Sequence, residues 1–475
     1  MSTDSAPGLT ELLADHVASE DSAPDAALDL AERAVVDTVG VALAATADPT
    51  VESLLGAVDA DLCPGPATAL VRGIETSPRQ AALVGGTSAH ALDFDDVDDE
   101  LIGHPSTVLV PAVLAVGDQV RATGAGVLDA YWTGLTVARV VAKALDIASH
   151  YEKGWHATAT VGVFGAAAAT ARLRGLPVTQ TRHALGIAAS LAMGSRRNFG
   201  TMTKPLHAGV AASGGVLAGT LAASGFTADP ENLESPAGFL ALYAGAGGAD
   251  RGALRERLDP WEVSAHSGPA GLNTKLHPCC YYMHPAADAM LALVADGLRA
   301  ADVDRVTVTV QPGGLEPLLH HRPQAGLQGK FSMEYAMAAC LLDGTLTLST
   351  FTDDAVTRPA AQELLPRITA GAQAVPPVGD PIAGGSGFGD GFAVVSARTR
   401  GGDELVRRVD VARGHATRPL TEQELQGKFE SCLAFAGLDG AGDLYPLLRG
   451  LRHQTSVRAT TDQLAAVGAG SGVAS

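Results

Sequence analysis

Six carboxylates and two histidines occupy the nineteen positions from Ser88 to Ser106, SAHALDFDDVDDELIGHPS, between segments that are otherwise apolar and rich in alanine. Such a run is either a solvated loop or a place where carboxylate and imidazole move protons. His90 and Asp93 lie three apart and are expected to share a helix face, with Asp95 and Asp96 continuing the helix to a break before His104-Pro105. Asp98, Asp99 and Glu100 are expected to be solvated. A calcium loop does not fit, because Val97 falls at a ligand position and the turn glycine is missing.

Three further stretches carry candidate chemistry. EKGWHATATVGVFG puts His156 just ahead of a small-residue helix, whose positive end disfavours imidazolium and leaves a neutral ring able to act as a base. A histidine packed beneath Trp155 is the structural alternative. GSRRNFGTMTKPLHAG gathers Arg196, Arg197, Lys204 and His207 in an acidic chain, a setting suited to a carboxylate ligand, with a solvated charge run still open for the two arginines. NTKLHPCCYYMHPAADAM brings together Lys275, His277, Cys279, Cys280, Tyr281, Tyr282 and His284. Adjacent cysteines without a CxxC partner make poor tetrahedral ligands, so no metal is expected there.

These residues must be held by elements that the composition and periodicity announce. The 475 residues exceed one core. They are 46% hydrophobic but only 4% aromatic, so small side chains must fill closely packed helices. Apolar residues recur at helical spacing in DAALDLAERAVVDTVGVALAAT, STVLVPAVLAVGDQVRATG and YWTGLTVARVVAKALDIA, and again in ATATVGVFGAAAATARLRGL and TRHALGIAASLAMG. After about Trp261 strands are expected: DRVTVTVQPG alternates, and FAVVSARTRGGDELVRRVDVARG reads as two strands about a Gly-Gly-Asp turn. PLTEQELQGKFESCLAFAGL returns to helix, with Thr421 and Glu424 at capping-box spacing. The small, Gly-rich end QLAAVGAGSGVAS is expected to fray.

A net charge of −19 argues against nucleic acid or an anionic membrane as partner. The N-terminus has no basic, apolar leader pattern, and no uninterrupted apolar run reaches membrane-span length, so a cytoplasmic protein is expected. The odd count of five cysteines suits reduced thiols.

In order, SAHALDFDDVDDELIGHPSTVLVPAVLAVGD, GWHATATVGVFGAAAATARLRGL, GTMTKPLHAGVAASGGVLA, KLHPCCYYMHPAADA and FSMEYAMAACLLDGTLTL resemble the signature segments of the MmgE/PrpD family over about Leu9 to Leu438. That family includes 2-methylcitrate dehydratases, cis-aconitate decarboxylases and iminodisuccinate epimerases. The resemblance implies a mostly α fold: a large helical domain from both chain ends (residues 1–265 and 396–465, with a flexible tail at 466–475) and an inserted smaller α+β domain (266–395). It also implies a homodimer and a site in the cleft between domains, with no metal and no organic cofactor.

Carried over by motif, Asp93, His104, His156, Lys204 and Lys275 are the expected catalytic residues, and Tyr335, Cys280, His90 and Arg196 the expected substrate contacts. The two lysines would neutralise carboxylates of a small anionic substrate and His104 and His156 would exchange protons, with Asp93 orienting one of them. The chain departs from the decarboxylase pattern at Val97, where those enzymes have threonine, and at Cys280, where they have histidine. The expected activity is a lyase reaction, dehydration or decarboxylation, on a small di- or tricarboxylate. The alternatives are an epimerase of an imino- or amino-dicarboxylate and a catalytically silent binding protein.

Overall fold

A computed structural model describes residues 7–244, 271–378, 391–438 and 441–469. The expected helices form, with local signals setting their ends. The helix Asp25–Ala44 covers the first periodic segment. Ser77 caps Pro78–Ala91 through the Gln80 N–H, and Thr123 caps Gly124–Leu145 through that of Gly126. The segment after His156 breaks at Val161 into Ala157–Thr160 and Gly162–Leu173. Thr421 and Glu424 close the capping box that begins Glu422–Phe435.

Small residues determine how closely these helices pack. Pro78–Ala91 runs against Thr203–Ala223 at Gly86 and Gly209. A Cβ on Gly86 would lie 2.8 Å from the Gly209 Cα, and one on Gly209 would collide with Thr87 Oγ1 and the Leu83 carbonyl. This contact fixes the segment leaving the first helix against the start of the second, which carries Lys204 and His207. Thr203–Ala223 is also the one helix, among the described residues, long and apolar enough to cross a membrane, a length not foreseen from the sequence; most of it is buried in the protein.

Four strands form one mixed sheet in the order Ile368–Ala372, Val303–Val310, Ala393–Thr399, Glu404–Val409. The first pair is parallel and the others antiparallel. The Gly-Gly-Asp turn falls as expected between the last two strands, which pair from Ala393↔Val409 to Arg398↔Glu404. The sheet therefore holds the chain to Val409, and the expected boundary at 395 cuts through a strand. The helix Arg458–Ala469 likewise continues past 465, so the described part of the expected tail is helical; residues 470–475 lie outside the described residues.

The apolar interior has two main clusters. One joins Leu9 to Ala244 with Leu425 to Leu464, so helices from both chain ends share it. The other centres on Cys279 to Ala397 and takes in Tyr151 and Phe199 from the helical part.

Candidate functional site

A narrow cleft opens between the two clusters. Asp93, Val97, Ile102, His104, Tyr151, His156, Phe199 and Lys204 come from the helical side, and Cys280, Tyr281, Tyr282, Pro317 and Phe331 from the strand-bearing side.

Pro78–Ala91 ends one residue before the acidic run, so Asp95 and Asp96 do not continue it. Asp93 instead takes a left-handed conformation, φ 50°, which costs a non-glycine residue about 1–3 kcal/mol and occurs where the surroundings enforce it. Here they do. Lys204 Nζ lies 2.5 Å and Lys275 Nζ 3.2 Å from Asp93 Oδ1, all three side chains being at most 4% exposed. Burial alone would raise the Asp93 pKa, but Lys204 and then Lys275 outweigh it and keep the carboxylate ionised well below its ordinary range.

Lys204 sits in the first turn of its helix, where the dipole opposes a cation. Asp93 offsets this, as do the rings of Phe199 and Phe331, whose centroids lie 5.3 and 5.1 Å from Nζ. Lys275 also donates to the Asp93 carbonyl at 2.8 Å and is completely buried behind the cleft wall. It pairs with Asp93 and is not among the residues that line the cleft.

The histidines are oriented by Asp95, not by Asp93 as the sequence suggested. His90 Nδ1 is 3.0 Å from Asp95 Oδ1, and His104 Nδ1 is 2.8 Å from Asp95 Oδ2 and 2.9 Å from the Asp96 carbonyl. A carbonyl only accepts, so His104 carries its proton on Nδ1 and presents a lone pair at Nε2. Burial lowers the His104 pKa, partly countered by Asp95, so the ring is a neutral base in the cleft wall.

His156 immediately precedes Ala157–Thr160, at the helix start where the sequence placed it, without a side-chain bond to the helix backbone. Burial and then Lys204 push its pKa well down. Its Nδ1 is 3.0 Å from Nδ1 of His207, whose own pKa burial lowers to about 4. It is His150, not His156, that stacks on Trp155, at 5.9 Å.

Other expected contacts fall elsewhere. His90 is buried behind His104, ring centroids 4.5 Å apart, and does not line the cleft. Tyr335 is wholly buried in the strand-side core, its hydroxyl donating to the Thr350 carbonyl at 2.5 Å, so it does not touch a ligand in this cleft. Arg196 lies over the Tyr151 ring at 3.7 Å and lines a neighbouring hollow with Arg197 and Glu316. Cys280 does line the cleft, but burial raises its thiol to about 11, so it stays protonated; Cys279 is raised further in the core.

Of the remaining carboxylates of the acidic run, Asp96 and Asp98 are buried, whereas Asp99 and Glu100 keep the partial exposure expected of them. Asp98 is buried against Arg139, 2.6 Å away, and Asp99 accepts from Asn273 at 2.7 Å. Asp96 is bonded to Ser106, and burial raises its pKa well above the carboxylate range.

Two buried lysines were missed. Lys330 Nζ donates to the Leu92 carbonyl at 2.6 Å and to the Pro278 carbonyl at 2.8 Å. Lys428 Nζ donates to the Phe94 carbonyl at 2.7 Å and pairs with Asp37 at 2.5 Å. The signal was present, since the pentapeptide LQGKF occurs twice, at 327–331 and 425–429, and supplies both lysines.

Donor atoms of His90, Asp93, Asp95 and His104 lie within 4.8 Å of one another, close enough for a cation. Two ammonium groups already share Asp93 Oδ1, and both His Nδ1 atoms face Asp95, so a divalent ion would have to compete with buried lysines. The donor set suits an anion beside Lys204 better.

Residues 11–251 match the MmgE/PrpD N-terminal domain and residues 277–439 the MmgE/PrpD C-terminal domain. The chain is similar to cis-aconitate decarboxylase of Mus musculus, 30% identical over 365 residues, covering 74% of this chain and 71% of the relative. The Homo sapiens protein of the same name is 29% identical (75% and 73% covered), and that of Aspergillus terreus 28% (75% and 76%). With the two matches spanning both the helical and the strand-bearing parts, the chain belongs to the MmgE/PrpD family.

Proposed function

We propose that this enzyme is a cofactor-independent lyase that makes or breaks a bond next to a carboxylate of a small di- or tricarboxylate, by decarboxylation or dehydration. The observation that carries the reading is Lys204, ion-paired with Asp93 in a cleft wall that also contains two neutral histidines. A substrate carboxylate placed against Lys204 has its charge balanced, and negative charge building on the adjacent carbon is drawn toward the same ammonium. His104, with a lone pair at Nε2, is suited to accept a proton. His156 is suited to donate one from Nε2 when its Nδ1 accepts from His207. The relatives named for cis-aconitate decarboxylation favour a tricarboxylate among the candidate substrates.

The test is a panel of unsaturated and hydroxylated di- and tricarboxylates, cis-aconitate and 2-methylcitrate among them, assayed with and without a chelator. Carbon dioxide release or water addition or loss, unaffected by chelation, is expected. Chelator-sensitive turnover would refute the cofactor-free part. Deuterium exchange from solvent into recovered substrate, with no group lost, would select the epimerase reading instead.

A further inference from the structure

Three successive carbonyls of the segment that carries Asp93 are each bonded by a buried lysine: Leu92 by Lys330, Asp93 by Lys275 and Phe94 by Lys428. The left-handed turn at Asp93 aims these carbonyls into the protein, where each needs a donor. The lysines come from different parts of the chain. Lys275 opens the strand-bearing part, Lys330 lies within it, and Lys428 belongs to the returning helix Glu422–Phe435.

Lys428 has a carboxylate of its own in Asp37. Lys330 has none among the described residues: its ammonium meets two carbonyls and, 5.0 Å away, the face of Phe351. It also ties together three pieces of the cleft. One carbonyl it holds adjoins Asp93, the other adjoins the Cys279–Cys280 pair, and the next residue in sequence, Phe331, lines the cleft and faces Lys204.

We propose that Lys330 is a positioning residue for the reaction, setting the distance between the Asp93 and Cys280 walls of the cleft and adding positive charge behind Asp93. This rests on the functional reading above. The groups acting on its charge are Asp93, Cys279 and Asp48, which favour the ammonium, and Lys275, which opposes it; burial is the largest influence and lowers its pKa to about 8. The ammonium is therefore lost as the pH rises through 8, while the histidine-dependent acid side of the profile does not depend on it.

The test is Lys330→Met, with Lys330→Gln as a second variant that keeps an amide donor, each compared with wild type on its best substrate. Expected is a fall in kcat of about 10²-fold with KM changed by less than about threefold, because Lys204 still meets the substrate. Wild-type kcat should decline above pH 8 and approach that of the Met variant, which lacks this alkaline limb. Folded variants with wild-type kcat would overturn the proposal. So would a wild-type kcat that stays flat through pH 8, a measurement that needs no variant. Absence of wild-type turnover on every substrate would instead refute the functional reading.

Discussion

Replacing Lys204 with methionine removes one charge and little volume, and its consequences can be worked through the cleft. Asp93 keeps Lys275 at 3.2 Å, so its carboxylate stays ionised and in place. What disappears is the cation facing the substrate. Two unit charges about 4 Å apart interact by about 4 kcal/mol at an effective dielectric of about 20. Loss of a single preorganised donor commonly costs roughly 3 kcal/mol in the transition state, so kcat/KM should drop by about 10²-fold. A second effect has a definite sign. Lys204 lowers the pKa values of His104, His156 and His207. Without it they rise, and a base that must be neutral is then lost at higher pH as the solution is acidified. The acid limb of the kcat/KM profile should move to higher pH. The assay is initial-rate kinetics across pH on thermally intact variant. A Lys204→Met enzyme within tenfold of wild type, or one with an unmoved acid limb, would refute the electrostatic account.

Asp95→Asn should lower kcat, by up to roughly the 10²-fold that general-base catalysis supplies, because it removes the charge that partly offsets the burial of His104 and leaves a weaker base, while the Asp96 carbonyl still holds the Nδ1–H tautomer; steady-state kinetics on folded protein check it. Cys280→Ser should reduce turnover more than Cys279→Ser, since only Cys280 reaches the cleft, with both variants folded by circular dichroism; equal wild-type rates would leave Cys280 a space-filling residue. Gly209→Ala should destabilise by about 1–3 kcal/mol through overpacking against Thr87 and Leu83, read as a lower thermal midpoint.

How far the sequence could be read depended on whether a feature was local. The order helix, sheet, helix followed from periodicity, and the turn between Ala393–Thr399 and Glu404–Val409 followed from its glycines. The expected boundary at 395 failed because the sheet, a non-local pairing, holds both of those strands. Within the site, His104, His156, Lys204 and Asp93 were found by motif, and the cleft brings them together. The partners that set their states were not visible. Asp98 reads as a solvated acid until Arg139, forty-one residues away, is folded against it. The role expected of Asp93 passes to Asp95, because the left-handed residue after the helix turns Asp93 to the lysines and leaves Asp95 facing the histidines. Tyr335, expected in the cleft, points the other way, into the core between Thr350 and Phe351.

The contact between His156 and His207 has a consequence for proton transfer at the site. Two neutral imidazoles joined Nδ1 to Nδ1 at 3.0 Å can hold the shared hydrogen on either ring, and both stay neutral only if one Nε2 gains a hydrogen as the other loses one. In one state His156 Nε2 is a lone pair, and in the other it is N–H. A hydrogen taken up at that Nε2 sends the shared one across to His207, which gives up a different hydrogen from its own Nε2. The atom that leaves is then not the atom that arrived.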